Sequence, residues 1–219
     1  MTSSGCARSS VYSPIALCLL LSLQPSILGL AASHDSRFVN LCSALCDDRV
    51  MSVDSEQRTL ISTVCHAFGV ARPTPGWWAW LRDPHFLIAV LAAVPVWLAL
   101  GLTVGDRMHV AFTAISLMSF LGVQPVFEEL AFRGALQGFL LQRGGARRIG
   151  PISRANLATT AAFVALHFAA QPPAWAIAVT VPSLVFGHLR ERFASVVPSI
   201  VLHSIYNAGF ALTAWIARN

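Results

Sequence analysis

Long apolar stretches separated by short polar breaks set the pattern of this chain. Residues 14–32 form the first such stretch, behind a polar start carrying Arg8. Residues 33–83 are the one extended polar segment, mixing Arg37, Arg49, Arg58, Arg72 and Arg82 with acids. Pro73, Pro75 and Gly76 punctuate its end, and Trp77, Trp78 and Trp80 follow immediately before the next apolar run. Tryptophans in that position suit the boundary between bilayer and water. From there apolar spans are expected over 85–104, 108–123, 126–141, 156–170, 174–189 and 196–215. Helices of about 20 apolar residues cross a hydrocarbon core of about 30 Å. Gly122, Gln124 and Pro125 predict a tight turn between the second and third of these spans. The expected fold is an all-α, polytopic transmembrane helix bundle with about six core spans plus an N-terminal hydrophobic segment. Its divisions are a signal-like or first transmembrane segment at 1–32, a polar extracytoplasmic segment at 33–83, and the bundle at 84–219.

Composition narrows this further. Of 219 residues, 55% are hydrophobic and 11% charged, against roughly 25% charged in soluble domains. Mean hydropathy is +0.63. A polytopic integral membrane protein is the expectation, with the lipid bilayer as its solvent. The formal charge of +5 comes from arginine without a single lysine. No basic run interleaves with aromatics as a nucleic-acid surface requires, so nucleic acid is not an expected partner. Arginine placement instead reads as loop charge, which collects on the cytoplasmic side. Alternating the spans from a cytoplasmic Arg8 puts Arg107, the Arg143–Arg154 cluster and Arg190/Arg192 inside. It puts 33–83 and the Gln171-Pro-Pro turn outside. The cysteines, at 6, 18, 42, 46 and 65, lack zinc-site spacing; a disulfide among the later three stays open if that segment is exported.

Ionisable groups at membrane depth cost at least about 2.5–3.5 kcal/mol each, which makes them functional suspects. Glu128 and Glu129 stand with Arg133 in the apolar stretch Pro-Val-Phe-Glu-Glu-Leu-Ala-Phe-Arg. Residues four apart share a helix face, so Glu129 is expected to pair with Arg133. Glu128, rotated by about 100°, faces elsewhere. His167 ends Phe-Val-Ala-Leu-His, and His203 and Asn207 lie one turn apart on the last span. A carboxylate and an imidazole can together orient and deprotonate a water. A second imidazole and a carboxamide can donate to a developing oxyanion. Taken singly, each group has a bland reading: a buried ion pair that fixes packing, or polar contacts that glue helices together. His188 is expected at the interface, His34, His66, His85 and His109 at loops or span edges, and Gly134, Gly138 and Gly187 at close helix contacts.

Glu-Glu-xxx-Arg, then Phe-xxx-His, then His-xxx-Asn, in order on successive spans, resembles the CPBP (Abi) family of CAAX-type prenyl endopeptidases and bacteriocin-processing intramembrane proteases. The likeness covers roughly residues 110–210. It implies an all-helical intramembrane endopeptidase of the glutamic type. Glu128 would be the base acting on water with His167. Glu129 and Arg133 would be the supporting pair, and His203 and Asn207 the oxyanion hole. It implies no cofactor, although a Zn²⁺ held by Glu and His is left open, since older descriptions of the family make the same residues metal ligands. Within the family, Phe-Arg-Gly-Ala-Leu-Gln137, Ser153-Arg-Ala-Asn156, Gln171-Pro-Pro-Ala-Trp175 and Pro182-Ser-Leu-Val-Phe-Gly187 resemble the branch paired with JDVT-type C-terminal sorting signals. The implied partner is then a membrane-anchored protein substrate bearing such a signal. Alternatives are a prenyl-protein endopeptidase, a non-catalytic immunity or scaffold protein, and a small proton-relay transporter. The transporter lacks the paired, broken half-repeats expected of that class.

Overall fold

A computed structural model describes residues 65, 68–105, 108 and 110–219. The expectations for 1–32, for most of 33–83, for cysteine pairing, and for Arg8, Arg107, His34, His66 and His109 lie outside the described residues. A short 3₁₀ turn, Ala79–Arg82, leads into α1, Pro84–Val104. Helix α2 runs Ala114–Gly145. A two-residue hairpin, β1 Arg148–Ile149 with β2 Ile152–Ser153, connects it to α3, Arg154–Phe168. The short α4, Pro173–Ala178, precedes α5, Thr180–Phe193, and α6, Val197–Ile216, closes the bundle.

Asp83 begins α1 by accepting a hydrogen bond from the His85 N–H, with Pro84 in the first turn where no N–H is needed. The helix is about 31 Å long at 1.5 Å per residue. It buries Phe86, Ala89 and Ala93 while leaving Leu91, Leu98 and Leu102 bare. Leucines outside and, Phe86 apart, alanines inside are the arrangement of a helix solvated by lipid. Gly209 of α6 lets α1 come close, because a Cβ there would lie 2.1 Å from the Trp97 ring. The core joins Trp80, Phe86, Ala89, Phe186, Leu189, Phe193 and Leu202.

The all-α bundle is as expected, but the division into spans is not. Among the described residues three helices are long and apolar enough to cross a membrane: α1, α2 and α6. The expected spans 108–123 and 126–141 merge into α2, which passes through Pro125 without a turn. Two π-helical turns, Ser119–Val123 and Leu130–Leu136, loosen the helix along its length, and its last segment, Leu141–Gly145, has already left helical geometry at Arg143 and Gly144. Such turns let a helix absorb an irregularity that would break a regular one. It stops at Gly144, whose φ of 85° is the left-handed conformation that ends helices. The expected span 174–189 divides instead at Val179, so that Pro182 falls in the first turn of α5, where its missing N–H is harmless.

The merger also revises sidedness. Asp83 pairs with Arg192 at 2.7 Å, and the Thr74 N–H donates to the Phe193 carbonyl at 3.0 Å. Arg148 reaches Glu191 at 3.4 Å. The end of the polar segment, residues 68–83, therefore shares one end of the bundle with Arg148, Arg190 and Arg192. The opposite sides assigned to residues 33–83 and to Arg190/Arg192 do not hold for 68–83. At the other end Arg218 donates to the Val110 carbonyl at 3.3 Å.

Candidate active site

Glu128 and Glu129 close a regular helical stretch, Gln124–Glu129, lying between two π-turns of α2. Glu129 points inward and is fully buried, as is Arg133. Arg133 Nη1 donates to Glu129 Oε1 at 3.0 Å, and Nη2 donates to the Ser183 Oγ at 2.8 Å and carbonyl at 3.1 Å. The guanidinium lies over the Phe163 ring at 4.6 Å and the Phe186 ring at 5.3 Å. A buried cation is tolerated when an anion, oriented dipoles and aromatic faces replace its water. The expected Glu129–Arg133 pair is present.

His203 joins this pair to Glu128. Its ring stacks on Phe186 at 4.9 Å, and its Nδ1 lies 3.0 Å from Glu129 Oε1. A carboxylate only accepts, so Nδ1 carries the hydrogen. Nε2 then faces Glu128 Oε2 at 3.9 Å, beyond a direct hydrogen bond. Glu128, its side chain 31% exposed, is the accessible member of the set.

His167 is placed differently. Its Nδ1 lies 2.8 Å from the Phe163 carbonyl and its ring 4.4 Å from the Phe163 ring. Because a carbonyl only accepts, Nδ1 carries the hydrogen and Nε2 of the neutral ring keeps its lone pair. His167 makes no hydrogen bond to Glu128; its Nδ1 partner is the Phe163 carbonyl on its own helix. Asn207 donates from Nδ2 to the Phe120 carbonyl at 2.7 Å.

Several supporting residues escape a reading of charges alone. Ser183 Oγ, taking a bond from Arg133, donates to Thr160 Oγ1 at 3.0 Å, and Thr160 to Asn156 Oδ1 at 3.3 Å. Asn156 Nδ2 ends the relay on the Leu184 carbonyl at 2.9 Å. A Cβ on Gly187 would stand 2.0 Å from Asn156 Oδ1, so this expected close-packing glycine is where α3 meets α5. Gly134 instead packs beneath the Phe68 carbonyl. The spacings Asn156/Thr160 and Ser183/Gly187 were the available signal: small polar residues one turn apart on otherwise apolar helices. A second cluster holds the arginine-rich end, where Gln137 donates to the Gly187 carbonyl at 3.0 Å and to Glu191 at 2.8 Å, and Ser153 also bonds Glu191. His85 and His188 stack there, with 3.1 Å between their facing nitrogens.

Among the described residues, no three His, Cys, Asp or Glu side chains converge as ligands of a metal ion would.

Residues 110–209 match a family model described as "Rce1-like: Type II CAAX prenyl endopeptidase Rce1-like". The match includes Glu128, Glu129, Arg133, His167, His203 and Asn207. No curated protein and no solved structure matches the chain.

Proposed function

We propose, from the premise that residues 110–209 belong to the CPBP/CAAX protease family, that this chain is a glutamic intramembrane endopeptidase cutting a membrane-anchored protein. The observation that carries the reading is Glu128: a partly exposed carboxylate beside His203 Nε2, with Glu129 and Arg133 buried behind it. Glu128 takes a proton from water as the oxygen attacks the scissile carbonyl, and His167 Nε2 offers a second acceptor that orients the same water. A proton on His203 Nε2 is aimed toward the developing oxyanion, anchored from behind by Glu129. Collapse of the tetrahedral intermediate breaks the C–N bond. The leaving amine takes the proton that Glu128 accepted, and the new carboxyl group keeps the water oxygen.

For the substrate, the four sorting-branch motifs favour a protein whose C-terminus carries a short signal, an apolar helix and a basic tail. The matched family description favours a prenylated C-terminus as the second reading. Purified protein in liposomes, given a reporter of each kind, separates the two. Cleavage of the helix-anchored reporter by wild type, lost in Glu128→Gln, is expected. Cleavage of the prenylated reporter alone would select the second reading. Cleavage of neither, or undiminished cleavage by Glu128→Gln, would overturn the protease mechanism.

A further inference from the structure

Helix α2, long and apolar enough to cross a membrane, passes through Pro125, and a proline leaves a helical carbonyl without its N–H partner. Which carbonyl depends on the local register. Here the Gln124 N–H donates to the Ser119 carbonyl, the five-residue spacing of a π-turn. In that register the next carbonyl, Phe120, would take its bond from the N–H of residue 125. Pro125 has none. The Asn207 carboxamide fills the vacancy, with Nδ2 2.7 Å from the Phe120 oxygen.

The two sides of this contact lead directly to the site. Asn207 is one helical turn beyond His203 on α6, and Pro125 is one turn before Glu129 on α2. The α6 face that delivers the His203 imidazole to Glu128 and Glu129 thus also supplies the donor that α2 lacks. Lipid offers nothing to an unpaired carbonyl, so the loosened turn persists only while a neighbour satisfies it.

We propose that Asn207 is a positioning residue that acts through α2. By standing in for the N–H of residue 125, it fixes the pitch of the π-turn and hence the angle at which Glu128 meets His203. For its effect on cleavage this rests on the endopeptidase reading above; the structural coupling does not. One carboxamide N–H is committed to Phe120 in this role, and the inference goes beyond an oxyanion contact in predicting that the role can be transferred to the backbone.

The test is a double-mutant cycle in full-length protein, comparing wild type, Asn207→Ala, Pro125→Ala and the double variant. Thermal unfolding in detergent and cleavage in liposomes are the two readouts. Asn207→Ala is expected to lower the unfolding temperature and slow cleavage about tenfold or more through misplacement of the base. Adding Pro125→Ala supplies an N–H at residue 125 and is expected to recover most of both losses, the non-additivity expected of residues sharing one partner. If Asn207→Ala does not accumulate, Asn207→Leu removes the donor while keeping similar volume and enters the same cycle. Additive losses in unfolding temperature would overturn the proposal. Recovered stability without recovered cleavage would overturn its catalytic part and place the carboxamide on the substrate. If wild type cleaves nothing, the endopeptidase reading fails, while the unfolding cycle still decides the coupling between residues 125 and 207.

Discussion

His203 and Arg133 donate to the same oxygen of Glu129, each at 3.0 Å. Glu129 is therefore a fixed acceptor that holds a guanidinium on one side and orients an imidazole on the other. The adjacent carboxylates consequently differ in the damage their loss should cause.

Glu128→Gln should leave folding intact and reduce cleavage by about 10²-fold or more, since a neutral amide cannot act as base. Glu129→Gln should instead strand the buried Arg133 charge, destabilising the bundle by about 3–5 kcal/mol. Membrane accumulation and unfolding temperature, measured beside cleavage, separate the two. Equal stability of both variants would contradict the assignment.

Ser183→Ala removes one of the acceptors of Arg133 and breaks the relay through Thr160 to Asn156. The carbonyl contact of Ser183 with Arg133 remains. A loss of about 1–3 kcal/mol is expected from the unsatisfied buried group, read by denaturant or thermal unfolding.

Gly187→Ala should be worse than an alanine in a helix normally is. The added methyl would overlap an amide that is itself tied to the Leu184 carbonyl and Thr160. Overpacking of about 1–3 kcal/mol is expected. Asn156→Ala in the same chain should relieve the overlap, so the double variant should lose less than the two single losses summed.

Arg192 holds the Asp83 carboxyl below its ordinary range of ionisation, first through their hydrogen bond. A carboxyl depressed in the folded state adds stability above its unfolded pKa, near 3.9. That stability fades as pH falls through the lower, folded value. The Asp83→Asn variant should therefore be slightly less stable at neutral pH, by no more than about 1 kcal/mol for such a surface pair. The difference between variant and wild type in unfolding temperature should shrink below about pH 4.

Single cysteines replacing Trp78 and Ala146 should label from the same face of the membrane, and one replacing Pro172 from the other. Arginine bias assigns the shared face of the first two to the cytoplasm. Labelling of Trp78→Cys and Ala146→Cys from opposite faces would contradict the observed end of the bundle.

The Glu129–Arg133 pair could be read from the chain because helical spacing places both on one face, and the interior place of His203 because exposing an imidazole to lipid would be costly. Helix α2 could not. Gly122 and Pro125 are local signals for a turn, whereas what carries the helix through them is an amide far along the chain, on α6. The sidedness of residues 68–83 failed for the same reason, since reading one helix as two puts them at the wrong end of the bundle. Ser183, Thr160 and Asn156 carried too little charge to stand out, and their importance appears once Arg133 is seen to need them. The His167 bond to a backbone carbonyl also lay beyond a pattern of residue types, which contains no information about tautomers.

The pairing of Glu129 with Arg133 and of Glu128 with His203 has an electrical consequence. Glu129 and Arg133 carry opposite charges side by side, and the proton that Glu128 takes from water returns to the leaving amine within the same site. Each charge moved across the bilayer would couple to the membrane potential at about 2.3 kcal/mol per 100 mV. A hydrolytic cycle that only passes protons among these groups and the water displaces almost none, so turnover should run at the same rate in energised and in depolarised membranes.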